Sequence, residues 1–322
     1  MPALIRAALA LLAPAWAWAA QAETAYISNE QDNTISVVEG ASLAVVATIP
    51  VGQRPRGLAL SADARTLYVA VGDDDRIEVI DLASRKVVRG LASGPDPERF
   101  VLHPDGKRLF VANENDSTVS VIDIASDKVL GEVPVGVEPE GMAVSPDGRF
   151  VVCTSETTSM VHVIDAATLE LSANILVDTR PRDAIVSPDA KRIFVSSELR
   201  GTVTALDAQT GQEAGKVGFT VPGVSRELVQ AVGLALSRDG TRLYVALGPA
   251  NRVAEVDAAS LKVLRMYLVG QRVWGIALSP DGKRLYAANG NSSDVSVLDL
   301  EREEVVKSIG VGRLPWGVVV GP

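Results

Sequence analysis

The segment GMAVSPDGRFVVCTS, residues 141–155, decides the fold. Two apolar runs flank Pro146-Asp147-Gly148, a tripeptide typical of a tight turn, so the segment predicts a β-hairpin. Two further short runs, VHVID at 161–165 and NILV at 174–177, follow with no amphipathic helical stretch between them. The unit therefore predicts four antiparallel strands.

This unit repeats along the chain. The turn aspartate recurs at positions 63, 105, 147, 189, 239 and 281, in steps of 42 residues with one step of 50. A second acidic column keeps the same spacing and adds a seventh member: Glu39, Asp81, Asp123, Asp165, Asp207, Asp257 and Asp299. Four-stranded units of about 40 residues are the blades of β-propellers. The sequence therefore predicts an all-β, seven-bladed β-propeller over residues 23–322.

The end of the chain predicts how the ring closes. The segment WGVVVGP at 316–322 matches WGIALSP at 274–280, which reads as the innermost strand of a blade. The three strands missing from that last blade are supplied by residues 24–51. We expect N-terminal strands to join the C-terminal inner strand in one sheet.

The first 22 residues have the pattern of a targeting segment. Arg6 precedes the apolar run AALALLAPAWAWA, and overlapping small residues end at Ala22, as in a secretory signal peptide. Pro14 interrupts the run, which is short for a membrane span. We expect residues 1–22 to be removed, the mature chain to carry no membrane span, and the protein to be periplasmic or secreted.

Composition excludes several classes of site. The chain has 322 residues, 47% hydrophobic and 22% charged, with a formal net charge of −9, so no broad basic face for nucleic acid is expected. Cys153 is the sole cysteine, which excludes an intrachain disulfide, a cysteine-built zinc site and c-type haem attachment. His103 and His162 are too few for most histidine-built metal sites.

The segments LYVA at 67–70, FVAN at 110–113 and YAAN at 286–289 each lead through a polar loop to a strand ending in Asp. They resemble the YVTN-type β-propeller repeat. Seven such units behind a signal peptide resemble the secreted β-propeller proteins associated with pyrroloquinoline quinone (PQQ)-dependent alcohol catabolism. The resemblance implies a role beside PQQ alcohol dehydrogenases and a transport system, so a periplasmic dehydrogenase, a cytochrome c or an ABC transport component is the expected partner.

Repeat register gathers scattered residues at one mouth of the propeller channel, because the loops that enter the innermost strands share a face. The position two before the first hydrophobe of that strand holds Arg56, Glu98, Glu140, Arg182, Val232, Trp274 and Trp316. The next position holds Gly57, Arg99, Gly141, Asp183, Gly233, Gly275 and Gly317. The glycines fit a crowded backbone, and Arg99 and Asp183 break that pattern with opposite charges.

The mouth residues allow two interpretations. As a ligand site, Arg56 and Arg182, with Arg54, Arg180 and Arg272, offer bidentate bonds to carboxylates, and Trp274 and Trp316 offer stacking surfaces. A flat polycarboxylate such as PQQ suits that chemistry. Alternatively, arginines and glutamates of adjacent loops pair with one another without a ligand. The leading hypothesis is a non-enzymatic binding or accessory protein for an anionic small molecule or a partner protein.

Two other functions stay open. A propeller-type hydrolase or lactonase would use Glu140, Glu98 or Asp183 as base and Arg99 as oxyanion partner. A haem-handling propeller akin to those of nitrite reduction ranks third, because no histidine is placed to serve as an axial ligand.

A second set of loops brings carboxylates to the same face. Its members are Asn29-Glu30, Asp73-Asp74-Asp75, Asn113-Glu114, Ser155-Glu156 and Ser197-Glu198. Oxygen ligands suit a hard cation, but no loop has EF-hand spacing, and solvated or arginine-paired carboxylates are the favoured interpretation.

The histidines, the cysteine and the remaining repeated features are predicted to have mainly structural roles. His103 lies in a turn on the opposite face, His162 lies on a strand between blades, and Cys153 reads as a buried small hydrophobe. The repeated acidic residues from Glu39 to Asp299 lie at the ends of the third strands, and we expect them to cap the turns that follow. An eight-residue insertion within 219–230 lies on the channel face, as a lip over the mouth or as a tolerated loop.

Overall fold

A computed structural model describes residues 23–322, all of which belong to one seven-bladed β-propeller. The predicted signal peptide at 1–22 lies outside the described residues. Each blade is an antiparallel sheet of four strands, as predicted, with strands of three to seven residues. Within residues 23–322 no helix has the length and apolarity to cross a bilayer.

The strands are numbered in chain order and grouped by their place in the blade. The innermost strands are β28 (Pro315–Gly321), β4 (Pro55–Leu60), β8 (Pro97–Leu102), β12 (Pro139–Val144), β16 (Pro181–Val186), β20 (Leu234–Leu236) and β24 (Val273–Leu278). The second strands are β1 (Thr24–Asn29), β5 (Thr66–Val71), β9 (Arg108–Asn113), β13 (Phe150–Ser155), β17 (Arg192–Ser197), β21 (Arg242–Ala246) and β25 (Arg284–Asn289). The third strands are β2 (Thr34–Glu39), β6 (Arg76–Asp81), β10 (Thr118–Asp123), β14 (Met160–Asp165), β18 (Thr202–Asp207), β22 (Arg252–Asp257) and β26 (Asp294–Asp299). The outer strands are β3 (Ala44–Pro50), β7 (Lys86–Ala92), β11 (Lys128–Pro134), β15 (Leu171–Leu176), β19 (Glu213–Gly218), β23 (Lys262–Leu268) and β27 (Glu304–Gly310). Two short 3₁₀ helices span Gly72–Asp74 and Arg226–Leu228.

The middle strands of each blade form the core because both of their faces are covered by neighbouring blades. In β9 five of six residues are buried, whereas in the outer strand β7 six of seven are exposed. Strands buried on both faces read as nearly continuous apolar runs. Hydrophobic clusters fill all seven interfaces between adjacent blades.

The ring closes as predicted. Strand β28 pairs antiparallel with β1, so the last blade has the order β28-β1-β2-β3. The Glu23 carboxylate adds a contact across the closure, since it accepts hydrogen bonds from Arg284 Nη1 and Tyr286 Oη, both at 2.7 Å. Pairing of β28 with β1 therefore completes the closing blade, and the Glu23 contacts bind that blade to the preceding one.

Candidate functional site

A repeated backbone irregularity places the mouth residues. In the blade formed by β4, β5, β6 and β7, the pairing of β4 with β5 shifts register between Pro55 and Leu58, so Arg56 and Gly57 lie outside the regular ladder. The inner strands carrying Glu98, Glu140, Arg182, Trp274 and Trp316 show the same shift. Bulges of this kind re-aim side chains. Here each one turns a side chain towards the channel mouth.

The residue before each inner strand supplies a second ring of side chains. Arg54, Arg180 and Arg272 take left-handed backbone conformations, with φ of 56°, 61° and 56°. A residue other than glycine costs energy in this region, which tertiary contacts must offset. Asp96 and Leu314 at the same repeat position have φ of 58° and 51°, so this conformation belongs to the repeated loop and places the three arginines at the mouth.

The mouth contains a polar cavity of about 560 Å³, which we call the mouth chamber. Its lining side chains are Glu30, Arg54, Arg56, Asp96, Glu114, Glu140, Arg180, Arg182, Arg272, Trp274, Asn291, Leu314 and Trp316. Five arginines and four acidic residues are among them. Arg56, Arg182 and Trp316, from three different blades, therefore share one compartment.

Glu98 lies behind the chamber lining and binds two of its arginines. Its carboxylate is fully buried and receives Arg54 Nη1 at 2.9 Å and Arg56 Nη1 at 2.6 Å. Burial alone would raise the pKa of Glu98, but the charges of Arg56 and Arg54 and the hydrogen bonds from Arg56 and Glu114 together hold that pKa below its usual range. Arg56 also pairs with Glu30 at 3.1 Å, and Arg54 with Asp73 at 2.8 Å and with Asp96.

The opposite side is built around Arg182. Its guanidinium pairs with Glu156, with Glu140 at 3.3 Å and with Glu198 at 3.8 Å. Arg180 joins Glu156 at 2.7 Å and Glu198 at 3.0 Å. Glu156 and Glu198 thus hold the two arginines from behind, as Glu98 does across the chamber.

Two tryptophans fix the planes of the guanidinium groups. Arg272 lies 4.1 Å and Arg182 5.3 Å from the ring centre of Trp274. Arg99 lies 4.8 Å and Arg56 5.6 Å from that of Trp316. Cation–π contacts at these distances stabilise both partners and restrict rotation of the side chains. The arginines are held in place before anything binds.

Two carboxyls that line the chamber are poised to carry protons near neutral pH. Burial raises the pKa of Glu140 to about 8, because its desolvation and the charges of Glu98 and Glu156 outweigh the attraction of Arg182. Burial and the neighbouring Glu98 raise the pKa of Glu114 to about 7. With these groups protonated, the ionised side chains that line the chamber are the five arginines, Glu30 and Asp96.

Arg99 and Asp183 lie in a different compartment from the one expected. Arg99 Nη1 is 2.9 Å from Asp183 Oδ1, so the two exceptional residues do meet. They line a second cavity of about 420 Å³ along the inner strands, the channel chamber, which shares only Trp316 with the mouth chamber. Asp183 also accepts hydrogen bonds from the backbone N–H groups of Ala184 and Leu234, both at 2.9 Å.

The glycine positions mark the narrowest packing between inner strands. A Cβ on Gly57 would lie 2.6 Å from the carbonyl oxygen of Glu98 in the next blade. One on Gly275 would lie 2.6 Å from the carbonyl oxygen of Trp316. Absent side chains therefore allow the inner strands to approach each other.

The structure separates the predicted site residues into three groups. Arg56, Glu140, Arg182, Arg272, Trp274 and Trp316 line the mouth chamber. Glu98 lies behind the arginines, and Arg99 and Asp183 belong to the channel chamber. Sequence reasoning did not single out Asp96 and Leu314, although both share the repeat position of Arg54 before a proline.

The acidic loops meet the mouth as the repeat predicts. Oxygens of Asp96, Glu98 and Glu114 lie within 4.8 Å of one another, which is the spacing of a cation site. Arg54 and Arg56 already supply countercharge to Glu98, and Arg54 does so to Asp96. The cluster is thus part of the ion-pair network of the chamber.

The insertion contributes to the same network. Its 3₁₀ helix, Arg226–Leu228, precedes Gln230, whose side-chain oxygen accepts a hydrogen bond from Arg272 Nη1 at 3.1 Å. The segment therefore reaches the edge of the mouth chamber.

The histidines and the cysteine have structural roles. His103 Nε2 is 2.8 Å from the carbonyl oxygen of Gly148 at the turn face. His162 accepts a hydrogen bond from the N–H of Gly136 at 2.9 Å and lies 2.6 Å from Asn174 Oδ1. Cys153 is buried in an interblade cluster, and burial raises the pKa of its thiol.

Three family models match parts of the chain. They are a YNCE-like β-propeller over residues 1–116, a cytochrome D1 haem domain over residues 98–206 and a seven-bladed β-propeller lactonase over residues 172–307. All three describe β-propeller proteins or domains, in agreement with the fold. No curated protein sequence matches the chain.

An axial haem ligand is not among the residues that line the mouth chamber. Within residues 23–322 both histidines are held by backbone or amide groups, and neither lines that cavity. The chamber as described does not fit haem with a histidine ligand.

Solved structures show the same architecture. The chain is similar to Kuenenia stuttgartiensis hydrazine synthase at 23% identity and TM-score 0.78, covering 86% of this chain and 92% of that one. A Lactobacillus plantarum protein matches at 18% identity and TM-score 0.80, with coverages of 94% and 99%. A functionally unknown Desulfotomaculum acetoxidans protein matches at 16% identity and TM-score 0.78, with coverages of 92% and 98%. At these identities the likeness shows the fold, and the chain is a seven-bladed β-propeller.

Proposed function

We propose that this chain is an exported, non-enzymatic binding protein that holds a small planar polycarboxylate in the mouth chamber. One observation carries the proposal: five arginines and two tryptophans converge on a single cavity of about 560 Å³. Guanidinium groups recognise carboxylates bidentately, and indole rings stack on flat conjugated molecules.

The paired state of the arginines is compatible with ligand binding. Glu98, Glu156 and Glu198 contact them from the chamber wall and hold their orientation. Within residues 23–322, Nη1 of Arg180 and Nε of Arg272 make no hydrogen bond or ion pair. Both arginines are partly exposed, so these donors are available to a ligand. Self-pairing thus pre-organises the site, which lowers the entropic cost of binding.

PQQ is the ligand we propose from the resemblance to proteins of PQQ-dependent alcohol catabolism. It is a flat polycarboxylate and would stack on Trp274 while Arg180 and Arg272 bind its carboxylates. A periplasmic dehydrogenase, a cytochrome c or an ABC transport component is then the proposed partner. The signal-peptide pattern of residues 1–22 supports export.

Tryptophan fluorescence tests the proposal directly. In a chain produced from Glu23 onwards, Trp274 and Trp316 are the only tryptophans, and both line the chamber. Titration with PQQ and with benzene-1,3,5-tricarboxylate should quench or shift their emission saturably. Quenching by the colour of PQQ is corrected with free tryptophan, and the tricarboxylate, which is nearly transparent at the emission wavelength, provides an independent probe.

Variants then separate the mouth from the rest of the surface. Removing a charge-assisted hydrogen bond of about 1.5–3 kcal/mol should weaken binding roughly 10- to 100-fold in Arg272→Ala. Trp274→Ala should also weaken binding, as measured by calorimetry. Arg149→Ala, at an exposed turn on the opposite face, is the matched control and should bind normally. Absence of saturable binding by either ligand would refute the proposal.

A hydrolase is the second candidate. The lactonase match over residues 172–307 and the raised pKa of Glu140 favour it. That match includes Asp183 but neither Glu98, Arg99 nor Glu140. Turnover of a panel of lactones that disappears in Glu140→Gln would support this candidate, and no turnover by the wild type would dismiss it.

A further inference from the structure

Glu140 is a buried carboxyl of the mouth chamber with an unpartnered oxygen. It is 3% exposed, and its Oε1 has no hydrogen-bond partner among the described residues. Its nearest cation is Arg182, with Nη2 at 3.3 Å from Oε1. A buried carboxylate normally requires several good hydrogen bonds to offset its desolvation. Glu140 lacks them.

The cation that faces Glu140 is already shared. Arg182 also contacts Glu156 and Glu198, so one guanidinium serves three carboxyls. Glu98 and Glu156 act on Glu140 as like charges, while Arg56 on β4 adds a weaker attraction. The thiol of Cys153 on β13 is the other titratable group whose electrostatics involve Glu140. The charges of Glu98 and Glu156 therefore oppose the attraction of Arg182 and Arg56, and burial adds to that opposition.

Glu140 nevertheless lines the cavity. A neutral carboxylic acid at this position has one O–H donor, and no side chain or backbone group among residues 23–322 accepts a hydrogen bond from Glu140, whose Oε1 is unpartnered. An incoming ligand oxygen would provide the missing acceptor. A carboxylate ligand at Arg182 would lie beside this O–H group, because the arginine and Glu140 are in contact.

We propose that the mouth chamber binds its anion together with a proton held on Glu140, whose neutral carboxylic acid donates a hydrogen bond to a ligand oxygen. This inference rests on the proposed function and names the regulation of the same site. It assigns Glu140 as a ligand-contacting residue that selects oxyanions over anions without acceptor oxygens. It also couples affinity to pH.

The direction of the coupling follows from the charge. Burial raises the pKa of Glu140 to about 8, so the group is neutral at pH 6 and largely ionised at pH 9. Ionised Glu140 would repel the anion and could no longer donate. If only the protonated form binds, the apparent dissociation constant rises about tenfold between pH 6 and pH 9.

The experiment uses benzene-1,3,5-tricarboxylate as the probe, since its own charge is constant over this range. Dissociation constants are measured by calorimetry and tryptophan fluorescence from pH 6 to pH 9. The titrations are done in the Glu114→Gln background as well as in the wild type, because burial raises the pKa of Glu114 to about 7 and its ionisation would add to the effect. Calorimetry at pH 8 in buffers of different ionisation enthalpy should reveal proton uptake by the wild type on binding.

Glu140→Gln is the decisive variant. Glutamine keeps the shape and a neutral donor but cannot ionise, so the affinity of this variant should become independent of pH between pH 6 and pH 9. Equal affinity of the wild type at pH 6 and pH 9, without proton uptake, overturns the proposal. A pH dependence that persists unchanged in Glu140→Gln overturns the assignment to Glu140. Should that variant fail to fold, the buffer series on the wild type still decides whether a proton is bound. Absence of binding at every pH refutes the proposed function instead, which keeps the two failures distinguishable.

Discussion

The two faces of the propeller are built from the same repeat, yet their charges are organised differently. At the turn face Ser145 donates to Asp147 at 2.7 Å, and the N–H of Arg149 donates to the same carboxylate at 3.1 Å. At the mouth Arg182 pairs with Glu140, Glu156 and Glu198, which lie up to 42 positions away in the sequence. The turns are local and exposed, whereas the mouth is non-local and buried.

This difference affects what each charge does. Hydrogen bonds from Ser145 lower the pKa of Asp147 to about 2, because the exposed turn stabilises the ionised form. Burial raises the pKa of Glu140 to about 8. The turn face thus uses charge to fix the chain direction, while the mouth concentrates charge that the fold itself does not fully satisfy.

Deleting residues 311–322 should have the largest effect, because it removes β28 from the closing blade and Trp316 from the mouth. We expect loss of cooperative unfolding in urea, followed by circular dichroism. Deletion of Pro322 alone, which lies beyond β28, is the control and should leave the transition intact. Full cooperative stability of the longer deletion would contradict the closure by β28 and β1.

Glu98→Ala should be the most damaging single substitution at the mouth. It leaves Arg54 and Arg56 without their shared buried carboxylate, and losing one partner of a buried ion pair costs about 3–5 kcal/mol. The free energy of unfolding from urea titration measures the loss. Glu98→Gln keeps the shape and should recover part of it. A loss below 1 kcal/mol in Glu98→Ala would show that the network re-pairs without Glu98.

The dependence of stability on pH should distinguish the two faces. Between its ordinary value of 4.5 and about 8, Glu140 binds a proton in the folded state but not in the unfolded state, so stability falls with rising pH. The slope is at most about 1.4 kcal/mol per pH unit from this group. Turn aspartates act oppositely, because the lowered pKa of Asp147 makes its stabilisation disappear as pH falls from 3.8 towards 2.

Urea midpoints at pH 2.5, 5, 7 and 9 check this expectation. Glu140→Gln should remove the fall in stability between pH 7 and pH 8, leave the smaller fall due to Glu114 below pH 7, and not change the acid side. A wild-type stability that is constant from pH 5 to pH 8 would argue against a buried neutral Glu140.

Asp147→Ala should have the smallest effect. The turn is exposed and Gly148 retains its positive φ of 72°, so the hairpin keeps its backbone geometry without the carboxylate. We expect a slight decrease in the unfolding midpoint and no change in ligand affinity. A decrease as large as that of Glu98→Ala would remove the distinction between the two faces.

The sequence predicted the fold because its information is local and repeated. The turn tripeptides, the 42-residue spacing and the matching terminal segment predicted seven blades and their closure, and the structure confirms them. Repeat register also predicted which residues meet at the mouth, and Arg56, Arg182 and Trp316 do share one chamber.

The sequence did not predict which arginine pairs with which carboxylate inside the mouth. Register places the Cα of each residue, but a long arginine can reach carboxylates beyond the adjacent blade. Arg272, for example, contacts Glu198, which lies 74 positions earlier. The same uncertainty explains why Arg99 and Asp183 were assigned to the mouth, although their side chains turn into the channel chamber.

The glycines of the inner strands have a consequence for the width of the channel. Gly57 and Gly275 let neighbouring strands come so close that a single methyl group would clash with a carbonyl oxygen. The lack of side chains at these glycines therefore allows the inner strands to pack closely, and this packing determines the width of the central channel. Arg99 and Asp183 are the two positions of this ring that carry long or charged side chains, and their ion pair at 2.9 Å crosses the narrow channel and links two blades.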